Sequence, residues 1–189
     1  MKAIEERILK DGRIINNDIL KVDNFLNHQI DVSLVQEFAR GVKEFFNKVK
    51  VDKILTIETS GIAIAFAVAE EFDNVPLLFA KKSKSAIVDN NVFITKIKSF
   101  TRNIESEVTV SKQYLTKGER VLIIDDFLAE GNAAIGLIDL CKQAGAIPVG
   151  FATVIEKSFQ GGRNRIEKEG VSVFSGASIK AFVDNKPVF

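Results

Sequence analysis

The sequence has little of several things: one cysteine, one histidine, three prolines and a formal net charge of only +1 over 189 residues. A single cysteine excludes an internal disulfide framework. Cys141 sits in the helical pattern LIDLCKQAGA with no His or Cys cluster around it, so it reads as a structural side chain rather than a reactive thiol. His28 lies in a segment with no visible orienting partner, and a general-base role is not expected of it. The balanced charge argues against a general nucleic-acid binder, which needs many uncompensated Lys and Arg. No run approaches the roughly 18 apolar residues of a membrane-spanning helix, and the start MKAIEERILKDG has acidic residues and no apolar signal core. A soluble cytoplasmic protein without membrane or nucleic-acid partners is expected. No repeat, low-complexity tract or Pro/Gly/Ser linker divides the chain, so residues 1–189 are expected to form a single domain.

Hydrophobic residues make up 46% of the chain and charged residues 27%, enough to bury one substantial core. Residues 2–10 suggest a short helix ending at Gly12. Ser33 is placed to cap a second helix, whose apolar stripe runs through Leu34, Val35, Phe38, Ala39, Val42, Phe45, Phe46 and Val49. The strand KILTIE (53–58), the Gly-led helix GIAIAFAVAEEF and the strand VPLLFA (75–80) form one βαβ unit. RVLIIDD (120–126), the helix GNAAIGLIDLCKQAGA and the strand IPVGFATVIEK (147–157) form another. Strands apolar throughout imply a mainly parallel sheet covered by helices on both faces, an α/β fold. VFITKI (92–97) and EVTVSK (107–112) alternate apolar and polar residues, as antiparallel strands with one wet face do. The last twelve residues, SIKAFVDNKPVF, fit either a docking segment or a frayed tail.

In open α/β sheets ligands bind beyond the carboxyl ends of the strands. Those ends carry ETSG (58–61), a basic loop, the pair Asp125 and Asp126 followed by FLAEGNAA, and a lysine before SFQGG. From Lys81 to Arg102 six basic residues (Lys81, Lys82, Lys84, Lys96, Lys98, Arg102) face one acidic residue, Asp89. Such a run is usually a solvated face; its position after a parallel strand makes it a candidate anion loop. AEGNAA opens a helix, where free N–H groups and the helix dipole suit a phosphate, although Gly131 also fits a mere tight turn. The Walker pattern fails because no Lys follows its second glycine, and no G-x-G-x-x-G fingerprint occurs.

Four apolar residues, two acids and a small-residue loop resemble the signature of the type I phosphoribosyltransferases, which use phosphoribosyl pyrophosphate (PRPP). LKVDNFLNHQID (20–31), TIETSGIA (56–63), VLIIDDFLAEGNAA and VIEKSFQ (154–160) are similar in order and spacing to the bacterial xanthine phosphoribosyltransferases over nearly the whole chain. The resemblance implies a mainly parallel sheet flanked by helices, a small N-terminal hood from about residues 1–35, a flexible lid hairpin and a homodimer. It implies transfer of the phosphoribosyl group of PRPP, with Mg2+ arriving as the Mg-PRPP complex and no expected direct side-chain ligation of metal. Asp125 and Asp126 match the ribose-binding acids. Ala129, Glu130, Gly131, Asn132 and Ala133 match the loop for the 5′-phosphate. Glu58, Thr59, Ser60 and Gly61 match the pyrophosphate turn, and Lys81 and Lys82 begin the lid that closes over it. Leu20, Asn27 and Lys157 match contacts to the base, xanthine.

Glu130 departs from the pattern, where hydroxyl residues are common. A carboxylate about 4 Å from a phosphate is repelled by about 1 kcal/mol even in water, so its side chain is expected to point outward. Two alternatives stay open: a phosphoribosyltransferase preferring guanine, hypoxanthine or adenine, and a PRPP-sensing transcription regulator. The second lacks a basic recognition helix within residues 1–50.

Overall fold

A computed structural model describes residues 1–83, 91–98 and 105–189; the basic residues Lys84 and Arg102 lie outside these. The N-terminal helix α1 (Lys2–Asp11) is followed by a short hairpin, β1 (Arg13–Ile15) and β2 (Ile19–Lys21), and by one turn of π-helix over Asp23–Asn27. These precede the long amphipathic helix α2 (Val32–Phe45). The expected cap is corrected: Asp31, not Ser33, accepts from the Leu34 amide at 3.1 Å. Asp31 has the extended backbone an N-cap needs and stands three residues before that amide. Helix α2 ends at Phe45, four residues short of Val49, yet Val49 still packs on the core.

Next come β3 (Lys53–Ile57), α3 (Gly61–Glu71) and β4 (Leu77–Ser83), then the pair β5 (Val92–Lys98) and β6 (Glu105–Ser111). The second unit is β7 (Arg120–Leu128), α4 (Asn132–Ala144) and β8 (Ile147–Lys157), followed by α5 (Gly162–Lys168) and β9 (Val173–Ile179). The chain closes with a hairpin of β10 (Ala181–Val183) and β11 (Lys186–Val188), so the C-terminal stretch is paired rather than a frayed tail. Among the described residues one sheet has seven strands in the order β5-β6-β4-β3-β7-β8-β9. β4, β3, β7, β8 and β9 are mutually parallel, whereas β6 runs antiparallel to both β4 and β5.

Burial on both faces explains the unbroken apolar runs. Ile54, Leu122 and Ile124 pack with α2 and α3, while Leu55, Val121 and Ile123 pack with α4 on the other side. This alternation follows from the two-residue period of a strand. Because β3 connects to β4 in one direction and β7 to β8 in the other, the sheet order reverses between β3 and β7. At such a reversal the carboxyl ends of the strands are where open α/β sheets take ligands.

The opposite end of the same two strands is pinned by Asp52. Arg120 donates from Nε at 2.9 Å, from Nη2 at 3.2 Å and from its amide at 3.0 Å. These bonds hold the Asp52 carboxyl at about 2, below its ordinary 3.8. A depressed carboxyl contributes its stability above the unfolded value and loses it as the pH falls toward the folded one. The melting temperature of the wild type should therefore drop more steeply between about pH 4 and pH 2 than that of Asp52→Asn. Parallel slopes in a thermal-melt series would contradict this.

Candidate active site

The turn leaving β3 shows why its residues are small. Gly61 starts α3, and a Cβ there would run into Thr56 Oγ1 and stand 3.6 Å from Asp125 Oδ1. Only a glycine lets this turn lie against the acid pair. The Glu58 to Thr59 peptide bond is cis. Glu58 Oε1 accepts from the Lys82 amide at 2.6 Å, which joins the turn to the end of β4. Thr59 is exposed and Ser60 half-buried beside it.

The two lysines part company. Successive residues of a strand face opposite sides. The charge of Lys82 acts on Asp125. Lys81 instead lines a hollow of about 690 Å3 with Lys53, Leu78 and Tyr114, its Nζ 5.9 Å from the Phe79 ring centre. Of the expected lid pair, Lys82 is gathered with the acids and Lys81 turns away from them.

Asp125 is 6% exposed and Asp126 half-buried. Each is oriented by the backbone just ahead of it: Asp125 Oδ1 accepts from the Asp126 amide and Asp126 Oδ1 from the Phe127 amide, both at 2.9 Å. Burial, and then the charge of Asp126, push the Asp125 carboxyl well above its ordinary value; Lys82 opposes the shift. Asp125 is thus a desolvated acceptor, with the half-buried Asp126 beside it, that gains from a donor reaching it.

Six residues later Gly131 adopts φ 80° and starts α4. Its own Cβ would come within 3.2 Å of Gly162 Cα, and a Cβ on Gly162 would strike the Ala129 carbonyl and stand 2.9 Å from the Gly131 nitrogen. Two glycines therefore let two backbones touch, and the Gly162 amide donates to Ala129 O at 3.0 Å. The amides of Asn132 and Ala133 lie in the first turn of α4, the arrangement that suits an anion.

Sequence reasoning missed the arginines that hold this loop. Arg165 donates to the Glu130 carbonyl at 2.6 Å and to Asn132 Oδ1 at 2.7 Å. Asn132 Nδ2 in turn donates to Glu130 Oε2 at 3.0 Å, so the exposed Glu130 carboxylate is gathered onto the side of the loop. Arg163 binds the buried Glu156 through Nε at 2.9 Å and Nη2 at 2.6 Å, with Ser175 Oγ donating to the same carboxylate at 2.6 Å. This network fixes α5 against the sheet. The available signal was GGRNR, two glycines and two arginines following a strand end.

At the end of the neighbouring strand, Lys157 closes β8 and donates to the Asp18 carbonyl at 2.7 Å. Burial lowers its pKa, and the charge of Asp18 opposes that shift. Leu20, two residues past Asp18 on β2, is 7% exposed and belongs to the core, so it offers an edge rather than an open face. Asn27 ends the π-turn, exposed to solvent, with His28 next to it. Cys141 is buried in α4, where burial raises its thiol to about 12, far from thiolate reactivity. Among the described residues no three His, Cys, Asp or Glu side chains converge as a metal cage.

The chain is 53% identical over 188 residues to the xanthine phosphoribosyltransferase of Clostridioides difficile, covering all of this chain and 98% of that one. It is 50% identical over 189 residues to that of Laribacter hongkongensis, with both chains covered in full. Its fold matches the crystal structure of adenine phosphoribosyltransferase from Rhodothermus marinus at a TM-score of 0.74 and 21% identity, covering 95% of this chain and all of that one. It also matches the APRTase of Giardia lamblia in complex with 9-deazaadenine at 0.74 and 20%, covering 88% and 93%. Residues 21–185 match the phosphoribosyl transferase domain, and the chain belongs to that family.

Proposed function

We propose that this chain transfers the 5-phosphoribosyl group of PRPP to N9 of xanthine, releasing pyrophosphate and giving xanthosine 5′-monophosphate. The observation that carries the reading is the order along β7 and the loop after it: the buried Asp125 with Asp126 beside it, and six residues later the Gly131 start of a helix suited to an anion. PRPP presents ribose hydroxyl donors and a 5′-phosphate on one molecule. The choice of xanthine rests on the names of relatives about 50% identical over the full chain.

In this mechanism Asp125 and Asp126 accept from the ribose 2′- and 3′-hydroxyls, and the amides of 129–133 hold the 5′-phosphate. The bond from C1 to the pyrophosphate oxygen breaks with its electron pair leaving on oxygen, while the N9 lone pair forms the new C–N bond and the imidazole N–H proton of the base passes to water or to the departing pyrophosphate. Positive charge develops on the ring, as in glycoside transfer, and the base itself is the nucleophile, with no covalent enzyme intermediate in this scheme. The turn 58–61 and Lys82 would steady the leaving group; Lys81 would need to swing inward to join them. Magnesium, entering with PRPP, would neutralise pyrophosphate charge, and Asp125, Asp126 and Glu58 are the oxygen donors on this edge able to meet it or its waters. Leu20, Asn27 and Lys157 would bound the base. Lys157 is an obligate donor while charged, which suits the C2 oxo group of xanthine over the amine of guanine. A homodimer at work in the cytoplasm belongs to the same reading, and sedimentation of the purified chain measures the first.

Purified protein with PRPP, magnesium and each of xanthine, guanine, hypoxanthine and adenine should turn over xanthine fastest, measured as nucleotide and pyrophosphate formed. No turnover with any base overturns the enzyme reading; a higher kcat/KM for guanine overturns only the base. Asp126→Asn should lower kcat/KM by on the order of a hundredfold, as expected when a group facing a charged transition state is neutralised. An unchanged rate contradicts its role. Arg165→Ala should raise the KM for PRPP about five- to tenfold and leave that for xanthine alone, since it frees Glu130 and Asn132 at the phosphate loop. Equal KM values in variant and wild type would show that the loop holds its shape without it.

A further inference from the structure

Two short hairpins lie outside the main sheet, β1–β2 near the start of the chain and β10–β11 at its end. Each is only three residue pairs long. Two-stranded ribbons of that size are marginal in water, so their orientation depends on what holds them. Their tips are alike. Asn16 and Asn17, in a three-residue loop, have φ 54° and 50°, and Asp184 and Asn185, in a two-residue turn, have φ 50° and 55°, the left-handed conformation that Asn and Asp tolerate better than other side chains.

The tips also grip each other. The Asn17 amide donates to Asn185 Oδ1 at 3.0 Å, and the Asn185 amide donates to Asn17 Oδ1 at 2.6 Å. This reciprocal clasp joins residues 168 apart in sequence. Between the clasped hairpins stands Lys157. The first hairpin supplies the Asp18 carbonyl to its ammonium at 2.7 Å, and the second supplies the Phe182 ring at 5.5 Å. Phe182 meets Phe159 edge to face, with centroids 5.6 Å apart and planes at 75°, and Phe159 remains 46% exposed. Ile179 pairs with Lys157 across β8 and β9, so β10 starts directly beside the end of β8.

We infer that the C-terminal hairpin is a wall of the base pocket: Phe182 orients Lys157 and offers aromatic surface to a planar oxopurine, and the Asn17–Asn185 clasp sets the angle of both hairpins. The inference rests on the reading of Lys157 as a base contact. An ammonium between a carbonyl and an aromatic ring has little freedom to follow a misplaced base. Asn185 is thus a positioning residue, acting on the base through Phe182 and Lys157, and its hydrogen bonds go to Asn17 rather than to the phosphate loop.

Steady-state kinetics with xanthine and PRPP varied separately test it. Asn185→Ala should raise the KM for xanthine about five- to tenfold, with kcat and the KM for PRPP within about twofold of wild type, as expected when a contact confined to base binding is loosened. Asn185→Asp should restore the xanthine KM, because its carboxylate still accepts from the Asn17 amide and tolerates the left-handed turn. Phe182→Leu should raise the xanthine KM at least as much, and it decides the matter alone if Asn185→Ala does not fold. An unchanged xanthine KM in a folded variant overturns the inference, and so do proportionate rises in both KM values. Wild type that turns over no purine base overturns the reading of the site together with the wall; wild type that turns over xanthine beside variants that match it overturns the wall alone.

Discussion

Everything at the carboxyl edge depends on the parallel pairing of β7 with β8. Its register sets Asp125 opposite Thr153 and Leu128 opposite Glu156. Where the strands end, the contact continues as the bond from the Gly162 amide to the Ala129 carbonyl. One continuous interface thus fixes the acids, the glycine loop after them, and Lys157 at the end of the neighbouring strand. Without side chains at 131 and 162 the two backbones approach closely enough to share it. The buried fork of Arg163 on Glu156 anchors the second partner, because an unpaired carboxylate that deep would be costly. The proposed grip on sugar, phosphate and base is therefore built on a contact that touches none of them.

The charges of the edge follow from the same construction. Asp125 is desolvated because apolar strands flank it, and its raised pKa reports stored discomfort that a hydroxyl donor or a cation relieves. Glu130 is the residue that fits a phosphate loop least by sign. Its carboxylate leans to Asn132, and Arg165, which holds the Glu130 carbonyl and Asn132 Oδ1, brings a positive charge to the same spot. The acid is offset by a neighbour 35 residues away, an arrangement no local reading of AEGNAA contains.

That contrast describes what was legible in the sequence. The strands and helices of both βαβ units, the antiparallel pair and the residues at the strand ends follow from periodicity and from where turns fall, and β8 spans the expected 147–157. Motif resemblance supplied the residue roles, since neither periodicity nor spacing tells a ribose acid from any other. What stayed hidden depends on tertiary contact. The hairpins β1–β2 and β10–β11 are too short for a pattern, and the divergence of Lys81 from Lys82 is decided by strand parity rather than by composition. Asp31 displaced Ser33 as a cap through geometry at a boundary, where sequence reading is weakest.

The central claim is that one molecule, PRPP, spans the acid pair and the start of α4. A crystal structure of the protein with magnesium and PRPP measures this directly. The account predicts the ribose 2′- and 3′-hydroxyls within hydrogen-bond distance of Asp125 and Asp126, with the 5′-phosphate on the amides of residues 129–133. A 5′-phosphate seated elsewhere, with those amides facing only water, would contradict it.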